Sequence, residues 1–188
     1  GARARVVAVG LAPEGWDVEG FEAALRQSLP RLAFLMPDFH NPAGHLMSER
    51  DRAALAEAAA AVGTRLVIDE TFAEPPLGGG SGSALPAPLA AWDPAGQVIT
   101  IGSMSKAFWA GLRVGWVRAD PGLAARLQAA RGPSDLASPV VEQLAAAWLL
   151  ERAESLLPAR RESLTRRRDT LTAALAEQLP TWSFRTPG

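Results

Sequence analysis

Apolar runs broken by turn-forming residues divide this chain into short strand-like and longer helix-like segments. Val6-Val7-Ala8-Val9 predicts a first strand, and Asp17 stands as N-cap to a helix over 18–28. Leu32-Ala33-Phe34-Leu35-Met36 is continuously apolar rather than alternating, which predicts a strand covered on both faces and ending at Pro37. After a loop over 38–46, Ser48 with Asp51 three residues on resembles a capping box; the alanine-rich run that follows is a helix to Val62, and Gly63 stops it. Arg65-Leu66-Val67-Ile68 predicts a third strand, whose end delivers Asp69 and Glu70 into a loop. Residues 78–88, rich in Gly, Ser and Pro, carry neither period and read as a surface loop rather than a hinge or lid. A fourth strand is predicted over 97–101 and a fifth, alternating in part, from Arg113 to Arg118. Helices follow near 122–130, 139–152 and 153–179, the last with Pro158 in its early part. Such alternation predicts an α/β fold: a mostly parallel sheet flanked by helices, with ligands gathered at the carboxyl ends of the strands.

Composition narrows the function classes. With 188 residues, 48% of them hydrophobic and 21% charged, the chain is long enough to bury a core. A formal net charge of -1 gives no global basic field for nucleic acid or an anionic membrane. No apolar run approaches a membrane span, and no signal peptide is visible. The absence of cysteine removes disulfides and thiolate metal sites and fits a reducing compartment, so a cytoplasmic protein is expected. There is no initiator Met, and Thr186-Pro187-Gly188 closes an apolar-polar stretch, so the sequence reads as part of something longer.

Of the 19 cations from Lys and Arg, 18 are Arg; Lys106 is the one lysine and Asn41 the one asparagine. A lone lysine in so arginine-rich a chain points to chemistry that a guanidinium cannot do, such as losing a proton to become an amine nucleophile. Three loops at predicted strand ends collect the other unusual residues. They are Pro37-Asp38-Phe39-His40-Asn41-Pro42-Ala43-Gly44, then Asp69-Glu70-Thr71-Phe72, then Ser103-Met104-Ser105-Lys106 with Gly111-Leu112-Arg113 behind it. In a parallel sheet these converge on one crevice. An amine, a carboxylate, an amide, hydroxyls and an Arg are what a phosphorylated aldehyde cofactor needs.

These motifs resemble the aminotransferase class I/II family, the fold type I pyridoxal phosphate proteins, and the resemblance covers nearly the whole chain. Within that group the wording Pro-Asp-Phe-His-Asn-Pro-Ala-Gly, Asp-Glu-Thr-Phe and Ser-Met-Ser-Lys-Ala-Phe-Trp-Ala-Gly-Leu-Arg-Val-Gly-Trp is similar to the GntR/MocR regulators, in which an aminotransferase-like domain follows a winged helix-turn-helix. The resemblance implies pyridoxal 5'-phosphate as cofactor and Lys106 as the catalytic residue, forming the internal aldimine. It implies that Asp69 pairs with the pyridine nitrogen and that Asn41, before a cis-bonded Pro42, donates to the phenolic oxygen. Ser103 and Arg113 bind the phosphate, while Ser105 assists or shapes the turn. Arg113 falls seven residues after Lys106, a spacing shared with MocR and aminoadipate-type members. Gly111 and Gly115 allow close backbone approach or serve packing. The implied organisation is the central part of the cofactor-binding large domain over 1–157 and, over 158–188, a helix leading into a small C-terminal domain. A homodimer is implied too, as is an amino acid or vitamin B6-related small molecule as partner, with DNA engaged only through a domain outside this chain.

Two departures stand out. Phe72 occupies the position of a Tyr that donates to the phenolic oxygen, which shifts that task to Asn41, and Ala43 replaces a Thr. The expected function is the effector-sensing part of a GntR/MocR-type regulator; the alternatives are a free-standing aminotransferase and a scaffold without cofactor. Asp38, His40 and His45 do not form a recognised metal spacing, so no metal is expected. Arg160, Arg161 and Arg166 to Arg168, interleaved with Glu162 and Asp169, read as a solvated helix face rather than a nucleic-acid patch.

Overall fold

The computed structural model describes residues 4–13, 15–74, 77, 85–133, 137–184 and 186. Elements follow in the order β1 (Leu11–Ala12), β2 (Gly15–Trp16), α1 (Val18–Ser28), β3 (Leu32–Leu35), α2 (Glu49–Ala61), β4 (Arg65–Asp69), β5 (Val98–Ser103), α3 (Met104–Ala107), β6 (Gly115–Arg118), α4 (Pro121–Arg131), α5 (Val140–Glu151) and α6 (Ala153–Gln178). Short 3-10 turns, Leu89–Trp92 and Ala110–Leu112, precede β5 and β6.

Both anticipated caps form. Asp17 accepts a hydrogen bond from the Gly20 N–H at 2.8 Å and Ser48 Oγ one from the Asp51 N–H at 3.2 Å, which starts α1 and α2 where the sequence places them. The first expected strand does not form. Val6 to Val9 has no regular structure and Val6 is 85% exposed, because no neighbouring strand among the described residues pairs with it. The pairing nearby is the two-residue ladder of β1 with β2, Leu11 opposite Trp16. The 78–88 segment falls largely outside the described residues; 85–88 has no regular structure. α6 continues unbroken past Pro158, and Asp120 caps α4.

The main sheet has the order β3-β4-β5-β6, with β3, β4 and β5 parallel and β6 antiparallel to β5. Side chains alternate across it. Leu35, Leu66, Ile68 and Val98 face a core closed by Phe21 and Leu25 of α1, by Leu55, Ala56 and Ala59 of α2, and by Met47 and Leu89. On the other face Leu32 and Phe34 are 58% and 62% exposed. β3 is thus an edge strand covered on one face, not the doubly buried strand its continuous apolar run predicts. A second, smaller core joins Met104, Leu112 and Ala146, fixing α3 and α5 beside the end of β5. Close approach explains one glycine: a Cβ on Gly115 would stand 2.9 Å from the Gly102 carbonyl oxygen on β5.

Candidate active site

Because β3, β4 and β5 run parallel they end at one edge of the sheet, and antiparallel β6 begins there, with Ser103 opposite Gly115. Strands lie about 4.8 Å apart, so the segments after β3, β4 and β5 and the one before β6 meet within a few residues' reach. All six singled-out residues lie on these segments. Asp69 is the last residue of β4, and its Oδ1 accepts from the Thr71 N–H at 2.9 Å, which leaves Oδ2 for another partner. Ser103 ends β5 and caps α3, its Oγ accepting from the Ser105 N–H at 3.1 Å. The Ser103 hydroxyl hydrogen stays available to an external acceptor.

Lys106 stands exposed on the single turn of α3, with Nζ 4.9 Å from the centroid of the Phe72 ring. That contact draws the ammonium toward the ring's negative face. Arg113 closes the 3-10 turn before β6 with φ of 50°, and its exposed guanidinium has no ion-pair partner among the described residues. Asn41 precedes a cis peptide bond to Pro42, as the family resemblance implies. Its own N–H donates to Met36 Sδ at 3.1 Å.

The loop bearing Asn41 is held from beneath. Arg52 of α2, wholly buried, donates through Nη2 to Asp38 Oδ1 at 2.6 Å and through Nε to the Met47 carbonyl at 3.1 Å. Its Nη1 reaches the Ala87 carbonyl at 3.4 Å. Met47 N–H to Pro37 O at 2.8 Å and His40 N–H to His45 O at 2.9 Å close the two ends of the loop. Asp38 is therefore an ion-pair anchor. Neither Asp38 nor Arg52 is singled out by sequence pattern, because their meeting depends on how α2 packs under the loop.

Two ionisable groups are displaced from their ordinary behaviour. Burial, then the nearby Asp38 carboxylate, pushes the Glu70 carboxyl up, with Arg52 and Arg118 pulling it partly back. Glu70 Oε1 is buried without a hydrogen-bond partner. Burial, then His45, pushes His40 down, and the Trp16 ring meets the imidazole edge-on at 5.5 Å.

A cavity of about 310 Å³ opens beside Lys106, walled by Phe39, Asn41, Pro42, Phe72, Leu77 and Leu164, with Glu74 at its border. It brings Asn41 and Lys106 together; Asp69, Ser103, Ser105 and Arg113 do not line it. Leu77 and Leu164 escape sequence reading, since Leu164 is one apolar residue on a long helix and reaches the site only through tertiary packing. Its neighbours on α6 explain the placement. Arg168 Nη1 donates to the Leu77 carbonyl at 3.1 Å and Arg161 stands 3.9 Å from Glu74, so one face of α6, at 161, 164 and 168, grips the segment after β4. The arginine run is thus engaged with carboxylates and backbone, including Arg166 with Glu162 at 2.6 Å.

The sequence matches the family described as aminotransferase class I and II over residues 2–187. It is 31% identical, over 93% of its length, to the aromatic-amino-acid aminotransferase 1 of Thermococcus litoralis, of which it covers 42%. It is 30% identical, over 92% of its length, to an uncharacterized HTH-type transcriptional regulator of Bacillus subtilis, YisV, of which it covers 37%. Among solved structures, the α-aminoadipate aminotransferase LysN of Thermus thermophilus, complexed with N-(5'-phosphopyridoxyl)-L-leucine, superposes with a TM-score of 0.85 at 28% identity over 98% of this chain and 48% of that one. The chain therefore spans less than half the length of these relatives.

Proposed function

Because this chain belongs to the aminotransferase class I and II family, whose cofactor is pyridoxal phosphate, we propose that it is the effector-sensing part of a GntR/MocR-type regulator with Lys106 as covalent anchor of that cofactor. The observation that carries the proposal is the one lysine of the chain, standing at a cavity among the ends of three parallel strands. The donor set fits the group. Bound pyridoxal phosphate supplies an aldehyde for an amine and a protonated ring that withdraws electrons from the attached carbon. Lys106 supplies the amine and, once displaced by an amino acid, holds the proton exchanged at the α carbon. Asp69 Oδ2 faces the ring nitrogen and keeps it protonated. The Asn41 amide donates to the phenolic oxygen, a task that falls to it because Phe72 has no hydroxyl. Ser103 donates its hydroxyl hydrogen to the phosphate, Ser105 assists there, and Arg113 adds a charge-assisted fork.

A second reading, a free-standing aminotransferase passing an amino group between an amino acid and a 2-oxo acid, is favoured by the likeness to the Thermococcus and Thermus proteins. One experiment separates the two. The native polypeptide, loaded with cofactor, is given a panel of amino acids with 2-oxoglutarate and, separately, DNA from upstream of its own gene. The regulator reading expects DNA binding that shifts with an amino acid and little oxo-acid turnover; sustained turnover without DNA binding overturns it in favour of the enzyme.

A further inference from the structure

Resting on that reading, we infer that the cavity beside Lys106 is the side-chain subsite of the amino acid the domain recognises, and that it takes an apolar side chain, aliphatic or aromatic, rather than an acidic one. Two observations carry this inference. The cavity touches Lys106, Asn41 and Phe72 but none of Asp69, Ser103, Ser105 and Arg113. A cofactor held by the latter four lies to one side of Lys106, and the cavity lies on the other. An amino acid whose nitrogen replaces the Lys106 amine starts at that boundary, so the space beyond it receives the remainder of the molecule.

The walls then set its chemistry. Phe39, Phe72, Leu77 and Leu164 present carbon, and the volume of about 310 Å³ falls at the lower end of small-molecule sites. The ionised group at the border is Glu74, whose carboxylate repels a second carboxylate. Arg161 stands 3.9 Å from Glu74 and so is already engaged, and it does not line the cavity. Leu77 and Leu164 are the specificity-determining residues, both fixed by α6: Arg168 binds the Leu77 carbonyl, and Leu164 lies between Arg161 and Arg168 on the same helix face.

Carboxylic acids that lack the amino group test the subsite without any reaction. The native polypeptide loaded with pyridoxal phosphate is titrated by calorimetry with 3-phenylpropionate, 4-methylpentanoate and glutarate. Because a single methylene in an apolar pocket is worth about tenfold or more, the two apolar acids are expected to bind at least about tenfold tighter than glutarate. Leu164→Glu and, separately, Leu77→Glu, each checked for native circular dichroism, are expected to cut that ratio about tenfold. Glutarate binding as tightly as the apolar acids overturns the inference, and so does an unchanged ratio in folded variants. Failure to trap cofactor on Lys106 with borohydride in the parent overturns the underlying reading, and this inference with it; trapping with a preference for glutarate overturns this inference alone.

Discussion

Glu70 carries a buried oxygen with no hydrogen-bond partner, beside an Asp38 carboxylate committed to Arg52. Its carboxyl is held above the ordinary 4.5, so the folded state binds this proton more tightly than the unfolded one. Stability is consequently retained below about pH 4.5 and lost as pH rises through the higher folded value. Glu70→Gln removes the ionisation. The variant is expected to be more stable than the parent at pH 7.5 and to converge with it toward pH 4, as read by urea unfolding at both. A stability difference independent of pH would contradict this assignment. At this scale sequence reading found the chemistry but not its support. Lys106, Asn41, Asp69, Ser103 and Arg113 are legible because each is rare or sits in a strand-end motif. Arg52, one arginine among 18, becomes visible only when packing removes it from water.

The element that positions Asn41 is α2, acting through the Arg52–Asp38 pair at 2.6 Å with both side chains buried. Breaking a buried pair from one side leaves an uncompensated charge and costs about 3–5 kcal/mol. Arg52→Met is expected to destabilise by about that amount in denaturant unfolding, and adding Asp38→Leu is expected to recover part of the loss. A single-variant cost under about 1 kcal/mol, the size of an exposed pair, would contradict the role given to this contact. α1, α2, β4 and the three C-terminal helices were legible from caps and hydrophobic period. Two strands were misjudged for one physical reason. An apolar run states that a segment prefers burial but not what lies beside it: Val6 to Val9 finds no partner strand, and β3 is covered on one face. The single turn of α3 was too short to show a period, although it carries Lys106.

On the scale of the whole molecule, three parallel strands and a fourth reversed one bring four loops to one edge, and α6 returns across the chain to wall the cavity with Leu164. Topology gathers the residues; local sequence equips them. The same arrangement superposes on about half of a larger aminotransferase structure, so the family assignment rests on the part of the fold that holds the lysine. The central claim is that Lys106 bonds the cofactor covalently while Asp69, Asn41 and Arg113 hold it. The most direct test is to take the native polypeptide with its cofactor, reduce it with borohydride, and map the peptides by mass spectrometry alongside the Lys106→Ala variant. A phosphopyridoxyl group on the peptide containing Lys106, absent from the variant, is the predicted result. An unmodified Lys106 peptide, or a label that survives the substitution, would contradict it.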